Sequence, residues 1–322
     1  MSNENHIVFL DRATLPEDIE PDFSAVAGTY VAHDRTEPQQ TADRLKTATI
    51  AITNKVRIGS AELEAAPELR LIVVAATGTD CVDVPACSLR GISVCNVRDY
   101  AQATVPEHVF ALILGLRRSI GAYHGSVQRG RWQEAGQFCY FDYPVDNLSG
   151  QVLGVMGSGA LGSRVAELGR AFGMEVLFAG RRGDLAPQHP RTPFPEVLQR
   201  ADVISLHLPL TSDSRGLLSA GEFNQMARRP IVINTARGPL IDEIALLEAL
   251  NTGQVSGAGI DVAMPEPPPE GGALMQIARH SRAIVTPHVA WAGRQAIHTL
   301  AEQLQAMVLA GIAGKPFNLV AP

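Results

Sequence analysis

Apolar positions in this chain fall into short, nearly unbroken runs, separated by stretches with helical spacing. Residues 7–10, 49–52, 71–75 and 92–95 form a first series, and 152–156, 175–179, 203–206, 231–234, 257–261 and 283–286 a second. Runs that do not alternate apolar with polar positions read as strands buried on both faces. Repetition of strand and helix predicts parallel sheets, and two series predict two α/β domains. Between the series, Thr104 with Glu107 reads as a capping box, with Pro106 in the first turn. Val105, Val109, Leu112 and Leu116 then share one helix face. Gly and aromatic residues crowd 130–143, and a last helix is predicted over 294–310, with Ile297, Leu300, Leu304 and Met307 on one stripe.

At 322 residues the chain exceeds one ordinary domain. A net charge of -6 offers nucleic acid no attraction, so an anionic ligand must find positive charge locally. No apolar run reaches membrane-spanning length. The polar opening, Ser2-Asn3-Glu4-Asn5, has no signal region, so a cytoplasmic location is expected. None of the four cysteines, Cys81, Cys87, Cys95 and Cys139, forms a Cys-x-x-Cys pair. That argues for a reducing compartment and against a metal site.

The run 152–156 leads into Gly157-Ser158-Gly159-Ala160-Leu161-Gly162, and a helical face Leu161, Val165, Leu168, Phe172 follows. A Gly-x-Gly-x-x-Gly between strand and helix is the context in which a dinucleotide binds. Gly157 allows the tight turn, Gly159 admits the pyrophosphate, and Gly162 lets helix and strand approach. The helix N-terminus offers N–H groups to phosphate. After the next strand stand Gly180-Arg181-Arg182, where an NAD enzyme places an acid for the ribose 2′-hydroxyl. Two guanidinium groups without that acid suit a 2′-phosphate, so NADP is expected in preference to NAD.

Three further segments each follow a strand of the second series, at the edge where α/β sheets bind ligands. They are Asn234-Thr235-Ala236-Arg237-Gly238, Asp261 through Glu266-Pro267-Pro268, and Thr286-Pro287-His288-Val289-Ala290-Trp291. Reduction of a 2-oxo acid needs a cation for the carboxylate, a proton donor for the growing alkoxide, and a group that tunes the donor. Arg237 suits the first, because its fork matches a planar carboxylate. His288 suits the second, and Glu266 the third, since a carboxylate favours imidazolium. His207 and His108 are placed as supports of the cofactor pocket and the cleft.

These segments, with Ala76-Thr77-Gly78-Thr79 and Val203 through Thr211, resemble the D-isomer specific 2-hydroxyacid dehydrogenase family over nearly the whole chain. Val94-Cys95-Asn96-Val97, Phe138-Cys139 and His288-Val289-Ala290-Trp291 look most like its glycerate dehydrogenase/hydroxypyruvate reductase members. The resemblance implies two Rossmann-like domains: a discontinuous, flavodoxin-like substrate domain over 1–101 and 292–322, and an NAD(P)-binding domain over 102–291. It implies Arg237, Glu266 and His288 as the catalytic triad, with Arg237, His288 and the backbone of Thr77 and Gly78 holding substrate. Thr104, Thr235, Ala236 and Asp261 would surround the nicotinamide, and Leu208 and Pro209 the adenosine. A homodimer and a small 2-oxo acid such as hydroxypyruvate or glyoxylate follow from the same likeness. Asp99 departs from it, standing where many members carry glycine. A phosphoglycerate dehydrogenase-like enzyme and a nucleotide-sensing corepressor are the alternatives. A formate dehydrogenase would carry glutamine in place of Glu266.

Overall fold

The computed structural model describes residues 4–184, 186–188 and 190–321; Ser2 and Asn3 of the polar opening lie outside them. The chain divides into two compact units, Met1–Ala101 with Ala292–Pro322, and Gln102–Trp291. Each has its own sheet.

In the first unit the strands are β1 (Asn5–Phe9), β2 (Gly28–Ala32), β3 (Ile50–Thr53), β4 (Leu71–Val74), β5 (Ser93–Asn96) and, from the chain end, β13 (Leu319–Ala321). Their order is β13-β5-β4-β3-β1-β2. Leaving β13 aside, that is the flavodoxin-like order. β3 and β4 are buried at every residue, which is why they read as continuous apolar runs. The helix Arg294–Ile312 buries Ile297, Leu300, Leu304 and Met307, the predicted stripe. β2 and β13 escape the sequence reading because both lie at edges. β2 is exposed at four of its five residues, and β13 pairs antiparallel with β5 over three residues. Asp99 has φ 60, in the left-handed region. Glycine enters that region at least cost, and aspartate more readily than most residues.

The second unit holds β6 (Val152–Met156), β7 (Glu175–Ala179), β8 (Arg191–Thr192), β9 (Val203–Leu206), β10 (Ile231–Asn234), β11 (Gly257–Ile260) and β12 (Ala283–Val285). The order is β12-β11-β10-β9-β6-β7-β8, with every pairing parallel. The order reverses at β6, between β7 and β9, which is where such sheets bind dinucleotides. Register then aligns the strand ends. Met156 pairs with Leu206, Leu206 with Asn234, Asn234 with Ile260, and Ile260 with Val285. The segments beginning at Gly157, His207, Thr235, Asp261 and Thr286 therefore leave one edge side by side.

The helix Thr104–Arg117 lies against this sheet, buried at Val105, Val109 and Leu112. A Cβ on Gly259 would sit 3.1 Å from Leu112 Cβ, so glycine in β11 sets how closely helix and strand approach. The expected capping box is not formed. Ala103 caps this helix without a side-chain bond, and Thr104 Oγ1 instead donates to Ala290 O (3.3 Å). A tertiary acceptor has won the hydroxyl from the local one.

Candidate active site

The glycine-rich turn fits a dinucleotide phosphate. Gly157 has φ +110, and a Cβ there would meet His207 O at 2.3 Å. A Cβ on Gly162 would meet Gly157 O at 2.0 Å, which ties the helix Ala160–Ala171 directly onto the turn. Above Gly159 nothing lies within 4 Å of the corresponding position, and Ser158, Gly159 and Ala160 are exposed. Leu161 is half-buried. No side chain caps this helix, so its first N–H groups are left for an anion. Leu208 borders the turn, with Cδ2 3.2 Å from a Cβ built on Gly157, and Pro209 follows, accepting from Ser214 Oγ. Thr235 Oγ1 is buried without a hydrogen-bond partner. Such an orphan costs about 1–3 kcal/mol, which a ligand amide would recover.

His288 and Glu266 come together as the sequence pattern predicts. His288 Nδ1 lies 2.8 Å and 2.9 Å from the two carboxylate oxygens of Glu266. Glu266 Oε1 also accepts from Ala263 N (2.9 Å), which fixes the carboxylate to its own loop. With Nδ1 donating to Glu266, Nε2 is left as the second ring nitrogen. His288 has φ 55, a conformation that only a well-anchored loop maintains in a non-glycine residue.

The anchor is Asp261, whose side chain has no exposed surface. Its Oδ1 accepts from Val289 N (2.9 Å) and from Thr286 Oγ1, and its Oδ2 from Ala290 N (2.9 Å). Its backbone O accepts from His288 N (2.7 Å). The family likeness implies Asp261 among the residues around the nicotinamide. In the structure its oxygens are turned into the loop, and it shapes the site through His288. His108 completes the group, with Nε2 3.1 Å from Thr286 Oγ1 and 3.6 Å from Asp261 Oδ1. Trp291 Nε1 donates to His288 O (2.9 Å) and closes the loop.

Arg237 starts the neighbouring loop. Asn234 shapes it from both sides, donating from Nδ2 to Arg237 O (2.9 Å) and accepting from Ala236 N (3.1 Å). Arg237 Nη1 donates to Ala236 O (2.7 Å). Gly238 lies so near the Ala263 backbone that a Cβ would sit 2.5 Å from its carbonyl carbon, so the Arg237 and Glu266 loops are neighbours. Thr77 and Gly78 belong to the first unit, on the loop after β4, where Asn96 Nδ2 holds Thr77 O (2.6 Å).

The two arginines after β7 differ. Arg182 is committed, donating to Gly216 O (2.9 Å) and Leu217 O and pairing with Glu222 (3.3 Å). The residue expected at a ribose phosphate thus has its guanidinium turned to two carbonyls and a carboxylate. Arg181 is exposed. Arg191, on β8, reaches Ser158 Oγ in the glycine-rich turn (3.4 Å). Nothing in its local sequence marks it, since β8 is two residues long and its pairing with β7 is visible only in the fold.

A family model described as the D-isomer specific 2-hydroxyacid dehydrogenase, NAD binding domain, matches residues 110–290. The chain is similar to a glycerate dehydrogenase of Methylorubrum extorquens, 46% identical over 98% of both chains. It is 31% identical to a hydroxypyruvate reductase of Blautia hydrogenotrophica, over 98% of this chain and 99% of that one. A crystal structure of a Thermus thermophilus protein superimposes with a TM-score of 0.85 at 30% identity, covering 98% of this chain and all of the other.

His207 sits beside the glycine turn, its N donating to Met156 O (2.8 Å) and its Nε2 meeting Ser205 Oγ (2.8 Å). Desolvation pushes its imidazole from 6.5 down to about 4. Below pH 6.5 the unfolded chain therefore binds a proton that the folded chain refuses. The stability present above 6.5 is lost as pH falls toward 4, by up to about 3 kcal/mol. We expect His207→Gln to flatten the decline of unfolding free energy between pH 6.5 and 4, measured by urea titration at stepped pH. An unchanged decline would assign the acid sensitivity to other groups.

Proposed function

This chain belongs to the D-isomer specific 2-hydroxyacid dehydrogenase family, and on that footing we propose that it reduces hydroxypyruvate or glyoxylate to D-glycerate or glycolate, with NADP preferred to NAD. It is an oxidoreductase acting on CH–OH groups with a nicotinamide cofactor. The observation that carries the finer reading is the Glu266–His288 pair, set on the same sheet edge as the glycine turn and beside the Arg237 loop. The likeness to glycerate dehydrogenase and hydroxypyruvate reductase supports the choice of substrate.

A dihydronicotinamide bound here supplies the hydride. The turn from Gly157 to Gly162 would hold its phosphates, and Thr235 would offer its hydroxyl to the nicotinamide end. Arg237 takes the substrate carboxylate in its fork and draws electron density from the adjacent ketone. His288 Nε2 would give its proton to the carbonyl oxygen as charge develops there. Glu266, 2.8 Å from Nδ1, orients the ring throughout. In the reverse direction neutral His288 accepts the hydroxyl proton. Glutamate, rather than glutamine, at 266 agrees with a reaction in which a proton moves.

The homodimer expected from the family is proposed as well. Phe138 and Phe141 are 89% and 87% exposed, and Trp132 and Ile120 are exposed nearby, an apolar surface that a second copy would cover. Four free thiols fit the expected reducing cytoplasm. No helix among the described residues is long and apolar enough to cross a membrane.

Initial rates with hydroxypyruvate, glyoxylate, pyruvate and an aromatic 2-oxo acid, each with NADPH and NADH, test the assignment. Hydroxypyruvate or glyoxylate with NADPH should give the highest kcat/KM. Absence of turnover alongside tight cofactor binding would favour a sensor. His288→Ala should lower kcat about 10²–10⁴-fold with cofactor affinity nearly unchanged. Glu266→Gln should lower kcat with cofactor affinity nearly unchanged, and an unchanged kcat would remove Glu266 from its role. Light scattering should give about twice the 34.4 kDa chain mass. Phe138→Glu with Phe141→Glu should yield monomer; a dimer that survives both changes lies elsewhere.

A further inference from the structure

Gly180 closes β7 at the position where a carboxylate would meet an unmodified adenosine ribose. A Cβ there would lie 2.9 Å from the Pro187 ring and 3.3 Å from Thr192 O. Gly180 N also donates to Thr192 O (2.7 Å). Pro187 and β8 thus cover the position, and a side chain built there would require the Pro187 ring to shift. Close packing, and not only the loss of a charge, keeps an acid out.

The same strand brings in a cation. Parallel pairing sets Arg191 opposite Phe178 and Thr192 opposite Ala179, so Arg191 stands near the end of β7. Its guanidinium reaches over to Ser158 Oγ at 3.4 Å, a long contact that uses one of five donors. No carboxylate pairs with Arg191 among the described residues, whereas Arg182 pairs with Glu222. Ser158 is the residue between Gly157 and Gly159 and is exposed, so this link places the cation over the turn that holds the phosphates.

We propose that Arg191 is a specificity-determining residue that binds the 2′-phosphate of NADP, with Ser158 aiming its guanidinium and Arg181 as the second cation. The proposal rests on the NADP preference put forward above, and it gives Arg191 this part because Arg182 is engaged with Gly216 O, Leu217 O and Glu222. A planar fork on phosphate oxygens forms charge-assisted hydrogen bonds, which a ribose hydroxyl does not offer with the same strength.

Isothermal titration calorimetry on the full chain tests this without turnover, with adenosine 2′,5′-bisphosphate and 5′-AMP as probes. The wild type should bind the bisphosphate more tightly than AMP. Arg191→Ala should weaken the bisphosphate roughly ten- to a hundredfold and leave AMP nearly unchanged. Arg191→Lys should recover part of the loss, and its conserved charge guards against a folding defect in the alanine variant. Equal weakening of both probes would overturn the proposal, placing Arg191 on the shared 5′-phosphate. A wild-type preference for the bisphosphate that survives Arg191→Ala would also overturn it, while the NADP reading would stand on Arg181. A wild type that does not discriminate between the probes would overturn the NADP reading itself, and this proposal with it.

Discussion

A carboxylate with no exposed surface has to be met by donors, or it destabilises the fold by several kcal/mol. Asp261 is met by two consecutive backbone N–H groups, from Val289 and Ala290, and by the Thr286 hydroxyl. Those donors flank His288 on both sides. Satisfying one buried charge therefore fixes the backbone around the residue assigned to proton transfer, including its left-handed φ. His108, from the helix Thr104–Arg117, and Thr104, which holds Ala290 O, extend the constraint to a second element. Glu266 then meets a histidine whose position is already set, and Glu266 is itself tied to Ala263 N. Pre-positioning of this kind is what proton transfer demands, because a donor that must search for its geometry gives back rate.

A second constraint is contact distance. Gly157, Gly162 and Gly238 each stand where a Cβ would meet backbone atoms at 2.0–2.5 Å. Two of these contacts shape the phosphate turn, and the third holds the Arg237 and Glu266 loops together. The aligned ends of β6, β9, β10, β11 and β12 supply the common edge from which all of these segments leave. Sheet register and glycine clearance together bring near one another residues that lie far apart in the chain.

The legible parts of the chain were the ones with strong local signals. Strands buried on both faces, such as β3, β4, β9, β10 and β11, read as unbroken apolar runs and were placed to within a residue. Edges were not legible: β2 is mostly exposed, and β8 and β13 have two and three residues. The pairing of Glu266 with His288 was foreseen from residue type and strand-end position, and the structure makes the contact. Thr104 was read as a cap because the spacing to Glu107 is local, yet its hydroxyl serves Ala290, 186 residues away. Arg182 likewise follows β7 at the position that suggests a phosphate, whereas its guanidinium meets groups 34 and more residues further on.

The alternation of strand and helix, the glycine turn and the chemical inventory of Arg237, Glu266 and His288 are all written in short stretches of chain. Hydrophobic period, backbone clearance and functional-group chemistry are properties of short segments. Only the tertiary structure decided which groups are spent and which remain available. Asp261 is used by the His288 loop, Arg182 by Glu222, and Arg191 is delivered to Ser158. Hydrogen bonds and ion pairs are settled by distance in space between groups dozens to hundreds of residues apart, and no local pattern records that distance.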